Sequence, residues 1–457
     1  MNKKRSAFSG KIGYVLSAAG ASVGLGNIWR FPYLAAKYGG GIFLLVYIIL
    51  ALTFGYTMIV AESALGRMTR KSPVGAFRSF AKGKKVGWLS FGGWINAIIP
   101  VLIVPYYSVI GGWVVKYLFE YIRGNGSKLA EDGYFSGFIS NGGATEICFV
   151  IFCMFTLVII YAGVQNGIER VSKIMMPILV VLSVIIAIYS VTRPGAIEGV
   201  KYFLVPNVKT FSWMTVVAAM GQMFYSLSIA MGILVTFGSY MRKDTSIEDS
   251  TRNVEIFDTA IAMMAGLMII PAVFAFSGGD PDTLQAGPSL MFITIPKVFA
   301  NMGFGTAVGI LFFVLVLFAA VTSSIALTES AVSTFEDELG WGRKKATVLT
   351  GVIMITLGTL SCLGYGPLDF VKIIGMQFLD FFDFLTNSVM MPIAALMTSL
   401  LVSRVIGVDK IEEEIRHGES AFRRKKIFVV MIKYLCPIFA LIILASSVAN
   451  AFGWIAM

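Results

Sequence analysis

Histidine is almost absent from this chain, and charge of either sign is scarce. A single histidine, His417, stands among 457 residues, and Asp, Glu, Lys and Arg together make up 14% of them. His417 lies in the charged stretch 409–426 and reads as a solvated loop residue, which excludes a histidine proton relay inside an apolar core. No Ser/His arrangement, His-Glu-x-x-His motif or aspartyl pair stands at workable spacing, so hydrolytic and metallo-enzyme chemistry has no residues to run on. The chain is expected not to be an enzyme. The four cysteines, Cys148, Cys153, Cys362 and Cys436, fall in or beside apolar runs without metal-ligand spacing and read as small core residues. The charged start Met1-Asn-Lys-Lys-Arg5 runs straight into an apolar segment without a small-residue cleavage site, so no removable signal peptide is expected. No polar stretch is long enough to fold as a soluble appendage.

What the chain has instead is apolar sequence: 57% of its residues are hydrophobic, and the mean hydropathy is +0.80. Runs near the ~20 residues needed to cross a bilayer recur throughout. Eleven spans are expected, at 11–36, 41–66, 88–122, 146–163, 168–191, 213–240, 255–276, 304–334, 346–363, 371–403 and 427–455. Between them, 124–143 is polar and glycine-rich and reads as a loop. Segment 280–300 is half apolar and reads as a short re-entrant or capping element, and 409–426 as a charged helix or linker. The net charge of +11 would suit a nucleic-acid binder, but its distribution does not. Residues 67–85 hold seven Lys or Arg and no acid, further basic clusters stand at 343–345 and 423–426, and 277–303 holds only Lys297. By the positive-inside rule this alternation places the N-terminus in the cytoplasm and, after eleven spans, the C-terminus outside. The basic excess sets topology, and no nucleic-acid partner is expected.

The first span is unlike the rest. In Ala18-Ala-Gly-Ala-Ser-Val-Gly-Leu-Gly-Asn-Ile-Trp-Arg-Phe-Pro32 three glycines, a serine, an asparagine and an arginine stand where lipid-facing residues belong. Each glycine weakens a helix by ~1 kcal/mol relative to alanine. Unpaired backbone groups cannot be left in hydrocarbon, so a helix broken there must turn its amides and carbonyls toward something bound. A second interrupted span follows about 200 residues later, Gly221-Gln-Met-Phe-Tyr-Ser-Leu-Ser-Ile-Ala-Met-Gly232. Two broken helices, each opening a block of five spans, predict an inverted repeat of five plus five. The fold class is then an all-α integral membrane protein forming one transport domain over 1–457. Repeats 1–191 and 213–403 would carry unwound first and sixth helices, and 427–455 would be an extra eleventh.

Charged and polar residues within spans are rare and need partners. Arg30 closes the first broken helix, and Asp380 and Asp383 open the tenth span. One of these acids with Arg30 makes either a reversible outer lid or a permanent ion pair. Asp258, early in the seventh span, either holds a cation or sits in water at the inner edge. Thr322-Ser-Ser324 lies deep in the run 311–327 and either bonds back to its own helix or offers hard oxygens to Na⁺. Tyr107 presents a mid-span phenol to a carboxylate or to a neighbouring helix. Gly167 and Pro177 are two helix-weakening points near the inner face, a kink or a hinge.

The stretch Gly20–Pro32 resembles the first-helix signature of the neurotransmitter:sodium symporters, and the resemblance runs over essentially the whole chain. It is most similar to the prokaryotic eleven-helix branch that carries hydrophobic amino acids. The resemblance implies sodium-coupled symport by alternating access and two sodium sites. One would use Ser22, Asn27, Ser226 and Asp258; the other would use Gly20, Val23, Ala319, Thr322 and Ser323. It also implies a substrate pocket. Leu25, Gly26 and Tyr107 would hold the α-carboxylate, and Tyr225, Ser226 and Ile229 the amino group. Ile103, Tyr225, Ser228, Met231, Ser323 and Leu327 would line the side-chain subsite, with Ser22 at its edge. An outer gate maps to Arg30 and Asp383 with Gln222, an inner gate to Arg5 and Asp337, and a hinge to Gly167 and Pro177.

The largely apolar subsite points to neutral, bulky amino acids, aromatic or branched. Chloride-dependent members of that family place a hydroxyl one turn beyond Asp258, where this chain has Ala262. The fixed carboxylate of Asp258 therefore predicts chloride-independent transport and admits proton antiport. The expected partners are an L-amino acid, Na⁺ and the lipid bilayer of the cell membrane, with no oligomer required. The rival readings are a proton-coupled carrier on the same fold and a non-transporting amino-acid sensor.

Overall fold

The computed structural model describes residues 6–81, 87–278 and 288–454. Among them the chain is helical, and extended pairing is confined to two isolated bridges, Gly40 with Pro206 and Ile373 with Met376. The first apolar segment is two helices. α1 (Lys11–Ser22) ends where Val23 turns extended (φ −77°, ψ 93°), and a wide turn at Gly26–Arg30 leads into α2 (Phe31–Lys37). Then follow α3 (Gly41–Thr69), α4 (Gly87–Ile122), α5 (Gly142–Tyr161) and α6 (Val164–Val191). The second broken segment is α7 (Trp213–Ser226) and α8 (Ile233–Tyr240). The chain closes with α9 (Ile247–Ser277), α10 (Gly305–Leu339), α11 (Arg343–Leu363), α12 (Phe378–Ile406) and α13 (Lys425–Ala451).

Nine of these helices are long and apolar enough to cross a membrane, counting only described residues. Their burial separates a centre from a rim. The most apolar windows of α4 and α10 are 78% and 72% buried, whereas those of α5 and α13 are 39% and 33% buried. The rim is not polar, since Ile151, Val158, Val181, Val348 and Leu441 are all more than half exposed. Apolar side chains turned outward around an apolar core are what a helix bundle needs when its solvent is lipid. The broken segments lie in the centre, and Val23, Leu25, Leu227 and Ala230 are fully enclosed.

Two expectations shift. Residues 124–143, read as a loop, form two short helices, Gly126–Leu129 and Tyr134–Ser140. Their aromatics find a core: Phe135 packs on Trp113 at 5.3 Å and on Phe292 at 5.1 Å. The tenth span starts later than 371, because Gly375 (φ 78°) and the Ile373–Met376 bridge hold that stretch in a tight turn. Within 280–300, residues 279–287 lie outside the described set, and 290–300 is a short apolar helix. Residues 409–426 include the helix Val408–Arg416 followed by an irregular linker.

One face of the bundle carries the described basic clusters, and several of their charges are paired. Arg343 reaches Glu329 at 2.5 Å and donates through Nε to the Ile160 carbonyl at 2.8 Å; Tyr240 donates to Glu329 at 2.7 Å. Glu329 is fully buried. Removing one member of a buried ion pair strands the other, at a cost of ~3–5 kcal/mol. Glu329→Ala is therefore expected to lower the melting temperature of the detergent-purified protein markedly, and an unchanged melting curve would show that the cluster contributes no stability.

Candidate functional site

A nearly closed cavity of about 20 Å³ lies where the two broken segments meet α4 and α10. That is room for about one water, far below the ~300–1,000 Å³ of open small-molecule sites, so its lining must part to admit a larger ligand. Ser22, Leu25 and Gly26 of the first break line it, as do Ile103 and Tyr107 of α4, Tyr225, Ser228 and Met231 of the second break, and Ser323 and Leu327 of α10. Ala21, Gly24 and Asn27 join them. Among the described residues its lining holds no carboxylate and no basic group. Two expected members stand back from it: Ser226 turns its hydroxyl toward Asp258, and Ile229 is enclosed in the core.

At one end of the cavity hydrogen-bond donors converge. The Leu25 amide donates to the Tyr107 hydroxyl at 3.3 Å, next to the start of the wide turn at Gly26. A helix start offers unpaired amides and a positive dipole end, which together suit an anionic group. Gly26 has no room for a side chain, because a Cβ there would stand 2.3 Å from the Tyr225 ring.

Behind the cavity Asn27, Ser226 and Asp258 meet. Asn27 Nδ2 donates to Ser226 Oγ at 2.9 Å and to Asp258 Oδ1 at 2.8 Å, and Ser226 Oγ donates to the same Oδ1 at 2.8 Å. Tyr47 of α3 donates to Asp258 Oδ2 at 2.7 Å, a partner the sequence reading missed because nothing distinguishes Tyr47 from its apolar run. The Ser22 hydroxyl bonds back to Ala18, so its carbonyl at the helix end is the oxygen that remains. Asp258 is fully buried, not an edge carboxylate.

A second oxygen cluster lies between α1 and α10. Ser323 Oγ stands 3.3, 3.1 and 3.3 Å from the carbonyls of Gly20, Ala21 and Val23. One hydroxyl hydrogen cannot satisfy three acceptors. Ala21, absent from the expected set, also accepts from Ser228 Oγ at 3.0 Å. Thr322 Oγ1 donates back to Phe318 at 2.9 Å and lies 3.2 Å from the Ala319 carbonyl, and a Cβ on Gly20 would stand 3.2 Å from Thr322 Cβ.

The second break is strained. Ser228 (φ 53°), Ala230 (φ 60°) and Gly232 (φ 70°) are left-handed, and only one of them is glycine. Such backbone costs ~1–2 kcal/mol at each residue bearing a Cβ. Glu62 of α3 holds it, since its Oε1 accepts from the Ala230 amide at 2.8 Å. Glu62 was also missed, although an acid inside the second span carries the same signal as Asp258.

The expected gates are only partly assembled. Arg30, Asp380 and Asp383 line one wide cavity of about 490 Å³ on the face opposite the basic clusters, and Tyr225 lines both cavities. Arg30 makes no ion pair with either acid; its guanidinium stands over the Tyr225 ring at 5.5 Å. Asp383 accepts instead from Asn387 at 2.5 Å and Tyr106 at 3.2 Å, and Asp380 from Tyr365 at 3.1 Å. Gln222 donates to the Gly26 carbonyl at 3.1 Å rather than to the Arg30 side. On the basic face Asp337 accepts from the Ser72 amide at 2.7 Å; Arg5 lies outside the described residues. The contacts on this face missed by sequence are Tyr240–Glu329 and the Ser9 amide on Glu169 at 2.9 Å.

Gly167 sits in a wide turn, Val164–Glu169, preceded by Gly163 at φ 95°. A Cβ on Gly167 would stand 2.1 Å from the Ile159 carbonyl. Pro177 lies inside the continuous helix beyond, Arg170–Val191, and the neighbouring Met176 sulfur would lie 3.5 Å from a Cβ on Gly20.

The profile of the sodium:neurotransmitter symporter family matches residues 5–127 and 134–453. A sodium-dependent transporter of Bacillus subtilis (strain 168), YhdH, is 36% identical over 417 residues, 91% of each chain. One from Haemophilus influenzae is 32% identical over 458 residues, covering 98% of this chain and 99% of its own. The crystal structure of MhsT in complex with L-phenylalanine matches with a TM-score of 0.86 at 36% identity, covering 97% of this chain and 100% of that one. The chain belongs to the sodium:neurotransmitter symporter family, a family of membrane transporters and not of enzymes.

Proposed function

We propose that this protein imports neutral hydrophobic L-amino acids, aromatic or branched, by sodium-coupled symport without chloride. The observation that carries the reading is the pair of oxygen clusters flanking one small cavity that lacks carboxylates. Asn27, Ser226, Asp258 and the Ser22 carbonyl would bind one sodium; the carbonyls of Gly20, Val23 and Ala319 with Thr322 and Ser323 would bind the second. Unwound carbonyls beside half-helix amino ends suit a cation and a substrate carboxylate held together. The Leu25 and Gly26 amides and Tyr107 would take that carboxylate, and Met231 adapts its shape to the side chain. MhsT, the structural relative, was crystallised with L-phenylalanine, which supports the aromatic class.

In this reading the basic face is cytoplasmic, and the broken segments count as one span each, giving eleven. Repeats 1–191 and 213–403 rock against each other, with 427–455 outside them, and a single copy suffices. The wide cavity is the outer vestibule, its Arg30–Asp383 lid unlatched, while Tyr240–Glu329 and Asp337 close the inner side. Ligands shift such an equilibrium only through their different affinities for the two states.

The test is uptake of tritiated tryptophan and leucine into liposomes under a sodium gradient, with potassium as control. Concentrative uptake that needs sodium is expected. Uptake driven by a pH gradient alone would replace the reading with proton coupling, and binding without uptake would make the chain a sensor. Replacing chloride by gluconate is expected to leave uptake unchanged, because Asp258 supplies the fixed negative charge; a several-fold fall would refute chloride independence. Gly26→Ala is expected to weaken substrate binding by about 5- to 150-fold, since overpacking of ~1–3 kcal/mol must move Tyr225. Equilibrium binding of labelled substrate checks it.

A further inference from the structure

The end of the bundle opposite the basic clusters carries a groove separate from the wide cavity, with no lining residue in common. It holds about 190 Å³ between the end of α9 and the segment ahead of α10. Ala272, Ala275 and Phe276 of α9 and Val298 and Met302 of that segment give it an apolar lining. Arg193, just past α6, is the one charged residue among the described residues that line it.

The guanidinium of Arg193 touches only its own helix end. Nε donates to the Tyr189 carbonyl at 3.2 Å, one terminal nitrogen stands 3.4 Å from Thr192 Oγ1, and the group lies over the Tyr189 ring at 4.3 Å. Its other terminal nitrogen has no acceptor, and no acid pairs with it, among the described residues. Lys297, in the segment ahead of α10, is already held by Asp132 at 2.5 Å. Lipid reaches Arg193 along its own helix. Counting back by turns, α6 presents Tyr189, Ile185, Val181 and Ile178, and the three aliphatic ones are 40 to 57% exposed. Tyr189 also donates to the Gly303 carbonyl, which joins this helix end to the segment ahead of α10 beside the groove.

We propose that this groove binds a single-chain carboxylate amphiphile, a free fatty acid from the adjoining leaflet, with its head on Arg193 and its chain against α9. An unpaired guanidinium beside apolar surface is matched by an anion whose remainder is apolar. A carboxylate presents two oxygens to the planar fork of an arginine. The groove is smaller than the ~300–1,000 Å³ of drug-sized sites, so it admits one chain and not the two of a phospholipid. It shares no lining residue with the small cavity at the two breaks, so it is a second site and not part of the first.

Photolabelling of the full-length protein in phosphatidylcholine liposomes tests it, with a palmitic acid carrying a mid-chain diazirine as probe and peptide mapping as readout. Label is expected on 272–276 and 298–303, the stretches that line the groove, and excess palmitate is expected to remove it. Hexadecanol lacks the carboxylate and phosphatidylglycerol adds a second chain, so both are expected to compete poorly. Arg193→Gln is expected to weaken labelling at least about threefold, the scale of one partly exposed ion pair. Ala275→Trp fills the groove but leaves the charge, and is expected to remove the label there. Melting curves of both variants serve as folding controls. Label spread evenly over the rim, or unchanged in folded Arg193→Gln protein, overturns the site. Label that persists in Ala275→Trp refutes the placement of the chain. Equal competition by phosphatidylglycerol overturns the fatty-acid assignment in favour of a phospholipid headgroup.

Discussion

Asp258→Asn is expected to cut sodium-driven uptake at least about 100-fold while the protein still folds, a loss of ~2.7 kcal/mol or more at two decades per 2.8 kcal/mol. The substitution preserves shape and removes only the charge. In the structure one carboxylate accepts from Asn27, Ser226 and Tyr47 within 2.7–2.8 Å, fully buried. Hydrogen bonds to a charged group contribute ~1.5–3 kcal/mol each, and an amide in that place must turn a donor toward one of its three donors. The proposed first sodium would also lose the fixed negative charge that, among the described residues, Asp258 alone places beside it. The measurement is initial uptake of tryptophan over a sodium titration, with the melting temperature of the same preparation as folding control. Wild-type sodium dependence in the asparagine variant would sink the assignment of Asp258 to a sodium site. Loss of uptake with loss of folding would assign it a structural role instead.

Thr322→Ala with Ser323→Ala is expected to abolish sodium-dependent uptake while leaving the protein extractable and monodisperse. Ser323 Oγ faces three backbone carbonyls, so removing it takes away the hydrogen they share and leaves only Ala21 with another donor, Ser228. Each buried acceptor left unpaired costs ~1–3 kcal/mol unless water enters. The two single variants separate the roles. Thr322 bonds within its own helix, so its loss alone is the milder change on contacts present without sodium, and any larger effect reports on the ion. Sodium binding to the purified double variant, read as sodium-dependent retention of labelled substrate, distinguishes a lost ion site from a slowed cycle. Normal sodium dependence in the double variant would refute the second site.

Much of this architecture was legible before any coordinates. Long apolar runs must become helices in lipid, and clustered Gly20, Gly24 and Gly26 beside Ser22 and Asn27 cannot remain a continuous one. The two breaks were read from residue type and position, the lining at Ile103, Tyr107, Met231 and Leu327 came from the family resemblance, and for Asp258 the sequence left a cation site and a wet inner edge both open. What stayed hidden depended on partners far away in the chain. Tyr47 is one more aromatic in an apolar run until Asp258, 211 positions on, comes to meet it. Arg67 looks like a topology signal until Glu414, 347 positions on, closes over it. Arg30 and Asp383 are likewise apart in this structure, where Tyr106 and Asn387 satisfy the acid.

Residues 322–324 show where the division falls. The sequence by itself determined that three hydroxyls would stand in a row inside an apolar helix, where each must find an acceptor. Only the tertiary structure decided which acceptor. Successive residues on a helix are turned by about 100°, so each hydroxyl meets a different neighbour. Thr322 bonds back to Phe318, Ser323 faces the broken end of α1, and Ser324 meets Thr156 of α5 at 3.3 Å. Composition and periodicity set how much polarity this bundle buries and at what depth. The rotation of each helix against its neighbours sets which oxygens converge, and convergence is what makes an ion site.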